Sequence, residues 1–173
     1  MMNVRTLVLA AALMIPATLF VGQNDAEAQF RIGPHAGYSV DVEQGFVGAD
    51  AWIGLVGISD TITMHLNPAF SYYFMPENTS LFSIDVNVPF LFKIPNFDIL
   101  RPYAAPGLSI RRFSVDVGND DFGINVSDTD IGFNVIGGAL FMADSNINPF
   151  AQLKLTIADG TDFAIMGGAM FKF

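Results

Sequence analysis

Residues 82–93 read Phe-Ser-Ile-Asp-Val-Asn-Val-Pro-Phe-Leu-Phe-Lys, and this stretch decides the fold because its hydrophobicity alternates with a period of two. Successive side chains of a β-strand point to opposite faces of the sheet. One face of the predicted strand is therefore wholly apolar, whereas the opposite face is mixed and largely polar. The apolar face holds Phe82, Ile84, Val86, Val88, Phe90 and Phe92, and the mixed face holds Ser83, Asp85, Asn87, Pro89, Leu91 and Lys93.

The same alternation recurs along the chain in eight segments. These segments are 30–41, 45–58, 61–74, 81–93, 101–115, 129–142, 147–157 and 162–173. They have 11 to 15 residues each, whereas strands of soluble proteins peak near about five or six residues. An oblique crossing of a bilayer takes about 9–11 residues. Strand length therefore favours a membrane barrel over a soluble sandwich.

Composition agrees with a membrane location. The chain has 173 residues, of which 51% are hydrophobic and only 14% are charged, and one domain is expected at this length. The net charge of −9 argues against a nucleic-acid partner, because neutralising phosphates requires clustered Lys and Arg. The absence of cysteine excludes disulfides, thiolate zinc sites and thiol nucleophiles.

The N-terminus has the pattern of a secretory signal peptide. A single cation, Arg5, precedes an apolar run over 6–21, and Ala26-Glu27-Ala28 supplies a cleavage signal. We expect a signal peptide over 1–28 and a mature barrel domain over 29–173, beginning at Gln29. The alternative is an N-terminal membrane anchor, but the apolar run of 16 residues is shorter than the roughly 20 that a spanning helix needs.

In lipid, a sheet survives only if every backbone polar group is paired, which requires the sheet to close. We therefore predict an all-β fold, an eight-stranded antiparallel up-and-down transmembrane β-barrel whose interior is filled by side chains. Both signs of charge occur in the predicted interior, which favours a plugged core over a water-filled channel. The predicted inward residues are Arg31, His35, Asp50, Trp52, His65, Asn67, Asp85, Asn87, Tyr103, Arg111, Asn134, Gln152, Lys154 and Lys172.

The predicted connections alternate between the two ends of the barrel. With both termini in the periplasm, the outer connections are 41–44, 75–80, 116–128 and 158–161, and the inner ones are 59–60, 94–100 and 143–146. The third outer connection, with 13 residues, is the longest. Long outer loops are typical of outer-membrane barrels, although the middle inner turn here is not short.

Three stretches resemble the small outer-membrane-protein β-barrel family, that is, the eight-stranded OmpX/OmpA-like barrels and their porin-family relatives. They are the opening strand 30–40, the strand pair 84–93 and 101–107 with its Arg101-Pro102-Tyr103, and the aromatic-terminated end Gly167 to Phe173. The resemblance implies a barrel integral to the outer membrane of a Gram-negative bacterium. It also implies the barrel assembly machinery as a partner, and no catalytic residue.

Candidate catalytic groups are few. His35 and His65 are the only histidines, and both are predicted to point inward. Barrel enzymes that modify lipids need a histidine beside a nucleophilic serine and an orienting carboxylate. Here His35 is four residues from Ser39, and His65 is six residues from Ser71. Without a local motif that resembles lipid A-modifying barrels, we interpret both histidines as polar core residues.

The stretch 116–130 is rich in side chains with oxygen ligands, namely Asp116, Asn119, Asp120, Asp121, Asp128 and Asp130. Oxygen ligands of this kind suit Ca²⁺, but their order does not match a calcium-binding loop. We interpret the stretch as a solvated outer loop, whose acidic surface could bridge to lipopolysaccharide through divalent ions.

Aromatic residues near strand ends predict girdles at the two membrane interfaces. These residues are Phe30, Tyr38, Tyr72, Phe74, Phe92, Phe141, Phe171 and Phe173.

The sequence thus predicts a non-enzymatic integral outer-membrane barrel with a structural, surface-interaction or weak-permeability role. No catalytic, cofactor-binding or metal-binding residue is assigned. The expected partners are membrane lipid, lipopolysaccharide and the assembly machinery, with the chain itself a monomer. The alternatives are a small-solute porin, a soluble periplasmic lipocalin-like barrel that binds an apolar ligand, and, third, a lipid-modifying enzyme.

Overall fold

The structure, a computed structural model, describes residues 30–97, 99–117 and 124–173. The predicted signal peptide and the cleavage point before Gln29 lie outside this part of the chain. Nine strands occur in it: β1 Phe30–Ser39, β2 Gln44–Ser59, β3 Ile62–Tyr73, β4 Thr79–Asn87, β5 Phe90–Phe92, β6 Leu100–Val117, β7 Ile124–Phe141, β8 Ile147–Ile157 and β9 Thr161–Lys172. Over these residues, the chain forms no helix with the length and apolar character that a membrane span requires.

The strands form one closed antiparallel sheet. Strands that follow one another in sequence pair, except that β4 and β5 do not pair with each other and each pairs with β3 and β6. Strand β1 also pairs with β9, with Arg31 opposite Lys172 and Ser39 opposite Ala164. The N–H of Phe173 donates to the carbonyl of Phe30 at 3.0 Å, so the pairing extends to the last residue of the chain. The predicted barrel closure is confirmed.

Strands β4 and β5 lie one after the other between β3 and β6 and count as a single position in the barrel wall, which we call a stave. The nine strands therefore make the predicted eight staves. The interruption falls at Val88-Pro89 because proline has no N–H to give to the ladder. Two hydrogen bonds carry the pairing through the gap. Val88 N–H donates to the Pro106 carbonyl at 2.8 Å, and His65 N–H donates to the Pro89 carbonyl at 2.9 Å.

The assignment of side chains to the two faces is also confirmed. Along β8, Gln152 and Lys154 are buried, whereas Ala151 and Leu153 are exposed. Twelve of the fourteen residues predicted to point inward are buried. The other two, Arg111 and Lys172, are half-buried, because each lies near an open end of the barrel.

The aromatic residues predicted at strand ends all lie on the outer surface, with exposures of 37% to 78%. Tyr38, Tyr72 and Phe74 lie at the end opposite the chain termini, which we call the loop end. The other five lie at the termini end: Phe30, Phe92, Phe141, Phe171 and Phe173. The outer surface therefore carries an aromatic band at each end.

One expectation about the connections was wrong. Residues 116–128 do not form a loop of 13 residues, because β6 continues to Val117 and β7 begins at Ile124. Pairing is unbroken between these ends, with Asp116 opposite Asn125 and Phe113 opposite Asp128. The strand pair continues beyond the barrel although its residues are polar. On the facing sides of the two strands, the backbone N–H and C=O groups still bond to each other. The β6–β7 hairpin therefore projects beyond the other staves.

The outer face generates a first prediction. Leu153 lies at the middle of β8 and is 48% exposed, whereas Ile157, 46% exposed, is the last residue of the strand. In a bilayer, Leu153→Arg should destabilise the barrel by about 2–4 kcal/mol, and Ile157→Arg by only about 0–1 kcal/mol, because the penalty falls toward the interface. Urea unfolding of protein refolded in lipid vesicles measures both. Equal effects at the two positions would contradict a transmembrane placement.

Candidate functional site

The barrel interior is divided into three layers along its axis, and β2 shows their order. Phe46 near the loop end belongs to one apolar cluster, Asp50 to a central polar layer, and Trp52 to a second apolar cluster near the termini end. The loop-end cluster contains Phe46, Tyr73, Leu81, Ala164 and Met166. The termini-end cluster contains Trp52, Leu91, Tyr103, Ala105, Ile136, Leu140, Ala143, Phe150 and Met170. The polar layer is thus covered by apolar side chains on both sides.

A buried ion pair anchors one side of the polar layer. Lys154 Nζ on β8 lies 2.9 Å from Asp85 Oδ2 on β4, and both side chains are at most 3% exposed. The other carboxylate oxygen of Asp85 accepts from Asn134 Nδ2 at 3.1 Å. Removing two charges from water is unfavourable unless they pair and gain further hydrogen bonds. Here the charges pair, and both carboxylate oxygens of Asp85 accept a hydrogen bond.

Three asparagines continue the network across the barrel. Asn134 also donates to Asn87 at 3.0 Å, Asn87 donates to Asn67 at 3.1 Å, and Asn67 donates to Asp50 at 2.9 Å. An amide both donates and accepts, so each asparagine can link two neighbours. The chain of hydrogen bonds therefore joins β8 to β2 through the interior.

At its far end the network contains a Ser-His-Asp arrangement. His35 Nδ1 lies 2.5 Å from Asp50 Oδ2, and His35 Nε2 lies 3.0 Å from Ser71 Oγ. In the tautomer that satisfies both contacts, Nδ1–H donates to the carboxylate and Nε2 accepts the serine hydroxyl proton. These are the contacts by which a catalytic triad activates its serine.

Gly48 makes this arrangement possible. It lies opposite His35 on one side and opposite Ser71 on the other. A Cβ atom at position 48 would lie 2.4 Å from His35 Nε2, so any side chain there would separate the imidazole from the hydroxyl. The absence of a side chain on the intervening strand lets two residues of non-adjacent strands meet.

The sequence did not predict these partners. Ser39, four residues from His35, instead donates to Asp162 at 2.5 Å. Ser71 lies beside His35 and not beside His65, whose ring is 5.9 Å from that of Trp52. The signal that could have identified the pair is the register, because both residues face a single glycine of the strand between them.

The triad is enclosed in the protein interior. Ser71 is 1% exposed, His35 3% and Asp50 2%. On the outer wall at the same level, an apolar groove of about 680 Å³ crosses β9, β1, β2 and β3. Its walls include Phe70 and Tyr72, and its floor is formed by small residues such as Ala36 and Gly167.

A second ion pair lies at the loop end. Arg111 on β6 pairs with Asp162 on β9, and Asp162 also accepts the hydroxyl of Ser39. The Ser39 Oγ in turn accepts the N–H of Val42 at 3.2 Å, in the turn between β1 and β2. These contacts join β1, β6 and β9 at the loop-end opening of the barrel, next to the loop-end apolar cluster.

The acidic stretch at the same end is only partly described. Asp128 and Asp130 are exposed, whereas the side chains of Asp116, Asn119, Asp120 and Asp121 lie outside the described part of the structure. Within that part, no three His, Asp or Glu side chains come together as metal ligands would.

The fold is that of small outer-membrane β-barrels. No protein-family model and no curated protein matches the sequence. Among solved structures, the attachment invasion locus protein Ail of Yersinia pestis is similar, with a TM-score of 0.61 and 16% identity over 84% of this chain and 97% of that one. The N-terminal β-barrel domain of Pseudomonas aeruginosa OprF gives 0.59 and 18% over 84% and 98%. The outer membrane enzyme PagL gives 0.51 and 12% over 82% and 98%.

The buried ion pair generates a second prediction. Lys154→Met leaves the Asp85 carboxylate buried without its cation and should lower the free energy of unfolding by about 3–5 kcal/mol. Adding Asp85→Asn should recover much of that loss, because no uncompensated charge remains. The readout is the fluorescence of Trp52, the chain's single tryptophan, during urea unfolding.

The matched control for this prediction is the pair of Arg101 with Asp144 at the termini end, in which the carboxylate side chain is 67% exposed and the Arg101 side chain 18%. Arg101→Met should change stability by less than about 1 kcal/mol, as for other surface ion pairs. An equal effect of Lys154→Met and Arg101→Met would show that the central pair does not hold the interior together.

Proposed function

We propose that the chain is a non-enzymatic integral barrel of the bacterial outer membrane, with a structural and surface-interaction role. The observation that carries this proposal is the inverted distribution of side chains. The central interior is polar and charged, whereas the outer face between the two aromatic bands is apolar. In water this distribution would be unfavourable on both sides of the sheet.

The outer face supports a lipid environment. Mid-strand residues such as Ile84, Val86, Val135, Leu153 and Ile165 are each 46% to 54% exposed. Soluble monomers rarely expose a continuous apolar surface larger than a few hundred Å². A soluble lipocalin-like barrel would need the reverse arrangement, with apolar residues lining a cavity and polar ones meeting water, so this alternative loses its support.

The interior argues against a role in solute passage. Trp52, Leu140 and Phe150 near the termini end, and Phe46 and Tyr73 near the loop end, are at most 4% exposed. With the hydrogen-bonded polar layer between these two clusters, a hydrated solute would have to displace buried side chains at three levels. We therefore favour a structural and surface-interaction role over a small-solute porin and over weak permeability.

The orientation follows from the two ends. We place the termini end in the periplasm, where the paired strand β9 with its aromatic residues Phe171 and Phe173 would serve as the recognition element of the assembly machinery. The loop end then faces the outside with the projecting β6–β7 hairpin. In this orientation the outer face between the two aromatic bands contacts phospholipid in the periplasmic half of the membrane and lipopolysaccharide in the outer half, and the sheet needs no second copy to close.

Cell fractionation tests the membrane placement. The full precursor, expressed in a Gram-negative host, should be recovered in the outer-membrane fraction, resist carbonate extraction and show heat-modifiable gel mobility, the sign of a closed barrel. Recovery in the soluble periplasm would contradict the proposal. In planar bilayers the purified protein should give no steady conductance above background, and regular channel steps would favour the porin alternative instead.

The Ser71-His35-Asp50 arrangement supports a second candidate, a hydrolase that acts on lipid esters. The similarity to the enzyme PagL shows that this fold also carries catalysis, and the apolar groove on the outer wall lies beside His35 and Gly48. Against this candidate stands the burial of the serine, since a nucleophile must be reached by its substrate.

A serine-directed probe distinguishes the two candidates. Folded protein in detergent micelles should not be labelled by a fluorophosphonate and should not hydrolyse short-chain fatty acyl esters. Ser71→Ala should leave both readings at background, with Ser109→Ala as a control for another buried serine of the barrel. Labelling or hydrolysis that disappears in Ser71→Ala but persists in Ser109→Ala would establish the enzyme instead.

A further inference from the structure

We infer that the opening of the barrel at the termini end binds a phosphate group. The site consists of four cationic side chains that lie at or next to the ends of four staves, namely Arg31, Lys93, Arg101 and Lys172. The inference uses the proposed orientation only for its periplasmic setting, because the four cations belong to this opening in either orientation.

Positive charge is concentrated at the termini end. Residues 30–173 contain seven Lys and Arg residues, and four of them lie there. Three acids occur in the predicted inner connections, namely Asp60, Asp98 and Asp144. By contrast, ten of the fifteen Asp and Glu residues of this range lie in the loop-end segments 40–43, 74–78, 116–130 and 158–162. A charged ligand of the termini-end opening should therefore be an anion.

All four cations face the interior of the barrel. Arg31 is itself only 1% exposed. Alternate residues of a strand point to the same side, and each of the other three cations shares its face with a buried residue two positions away. These pairs are Lys172 with Met170, Arg101 with Tyr103, and Lys93 with Leu91. The cations are thus directed toward the opening and not toward lipid beside the outer wall.

The cations form two like-charged pairs on neighbouring strands. Arg31 on β1 lies directly opposite Lys172 on β9. The β5–β6 register, continued by two residues from its last pair, places Lys93 opposite Arg101. The ladder does reach Lys93, since its N–H donates to the carbonyl of Thr61 at 2.7 Å. Like charges opposite each other destabilise a sheet, and an anion between them would remove this repulsion.

The two pairs lie on opposite sides of the opening, since two staves separate them in each direction around the wall. Their side chains nevertheless approach each other, because the charge of Arg101 acts on Arg31 and both charges act on the ring of His65. Both guanidinium groups also reach the β7–β8 turn. Arg31 Nη2 donates to the carbonyl of Ala143 at 3.4 Å. Arg101 Nη2 donates to the carboxylate of Asp144 at 2.8 Å. A single phosphate over the opening would thus interact with both pairs.

Two buried nitrogen atoms at the site can bond to such a ligand. The Nε of Arg101 and the Nδ1 of His65 have no hydrogen-bond partner among the residues that the structure describes, and His65 is only 6% exposed. Leaving a buried polar group without a partner is unfavourable. An arginine holds phosphate through two parallel N–H groups, and the Nε–H of Arg101 can serve as one of them. The imidazole donates as well when its proton is on Nδ1.

The number of cations favours phosphate over a carboxylate. Asp144 already pairs with Arg101, but neither Lys93 nor Lys172 forms an ion pair in the described part of the chain. A phosphate monoester carries about −1.5 to −2 charges and three acceptor oxygens at pH 7, so it can bind both lysines and Arg101 together. The carboxylate of Asp144 is 67% exposed, and such exposed ion pairs are weak. Phosphate can therefore displace it.

The test uses mature protein refolded in micelles of octyl glucoside, a detergent without charge or phosphate. Inorganic phosphate is titrated at constant ionic strength and followed by calorimetry, and we expect saturable binding of one phosphate per barrel. Arg101→Met should weaken binding at least about tenfold. Asp144→Asn should strengthen it about threefold, because it removes the competing carboxylate.

Opposite changes in these two variants distinguish a phosphate site from a purely structural ion pair, which either substitution would break. Absence of saturable binding in the parent would overturn the inference. Weaker binding by Asp144→Asn than by the parent would overturn it as well.

The matched control is Arg112→Met, which removes an exposed arginine of β6 near the loop end. This variant should bind phosphate as the parent does. Equal weakening by Arg101→Met and Arg112→Met would show attraction by net charge alone and overturn the inference. Heat-modifiable mobility confirms that each variant has folded before the titration begins.

A competition experiment identifies the source of the phosphate, which is either a soluble phosphate ester or the headgroup of a neighbouring phospholipid. Phosphatidylglycerol is added to the micelles, and the titration with inorganic phosphate is repeated. We expect unchanged affinity, because the cations face the interior, and this result would support a soluble ester. Weaker phosphate binding in the parent, without a further change in Arg101→Met, would support a lipid headgroup at the same site.

The titration is separate from the test of membrane placement. If the precursor fractionated as soluble while phosphate still bound through Arg101, the proposed location would fail and the phosphate site would stand. Outer-membrane recovery without phosphate binding would leave the proposed function and remove the site.

Discussion

The structure depends on one constraint, which is that the backbone of a sheet in lipid must find all its hydrogen-bond partners within the protein. The pairing of β1 with β9 satisfies it, from Arg31 opposite Lys172 to Ser39 opposite Ala164. Once the sheet closes, each strand has an inside and an outside, and the two-residue period of the sequence assigns every side chain to one of them. In the proposed membrane placement, the projecting part of β7, which pairs with β6 alone, lies outside the lipid, where this constraint does not act.

Closure also determines the chemistry of the interior. A barrel of eight staves has no space for a separate core, so the inward side chains of opposite strands meet directly. Polar residues there must satisfy one another, and the route from Lys154 through Asp85 and the asparagines to Asp50 does so without interruption. The Ser71-His35-Asp50 contacts follow from the same requirement. Their geometry matches a catalytic triad, yet their burial and their place at the end of a structural network favour a stabilising role.

The sequence predicted the barrel because a strong signal was available. Alternation over 82–93 gave the strand and both faces, and it gave them correctly across Pro89, where the ladder is interrupted. The two-residue alternation does not predict which inward side chains touch one another, because those contacts depend on the register between strands. Distance along the sequence therefore suggests Ser39 as the serine nearest to His35. In the structure, His35 contacts Ser71 across Gly48 instead.

The projecting hairpin was missed for a different reason. Residues 116–128 are acidic and contain glycine, a composition typical of loops, and no apolar face marks them as a strand. A hairpin in water needs no apolar face to pair its two strands when a barrel holds their bases together. The register from Leu100 opposite Phe141 onward continues upward by backbone pairing alone. Composition thus agrees with the exposure of residues 126–128, but it did not predict that the two strands extend to Val117 and from Ile124.

A cysteine scan of β8 tests the central claim, an apolar outside and a filled interior, most directly. The chain has no cysteine, so each single-cysteine variant from Phe150 to Ile157 can carry a spin label in an unmodified background. In lipid vesicles, labels at Ala151, Leu153 and Leu155 should be relaxed by oxygen and not by a water-soluble nickel chelate. Labels at Gln152 and Thr156 should be shielded from both reagents. Access of the nickel chelate to Leu153 would contradict the lipid-facing outside, and its access to Gln152 or Thr156 in protein that shows heat-modifiable mobility would contradict the filled interior.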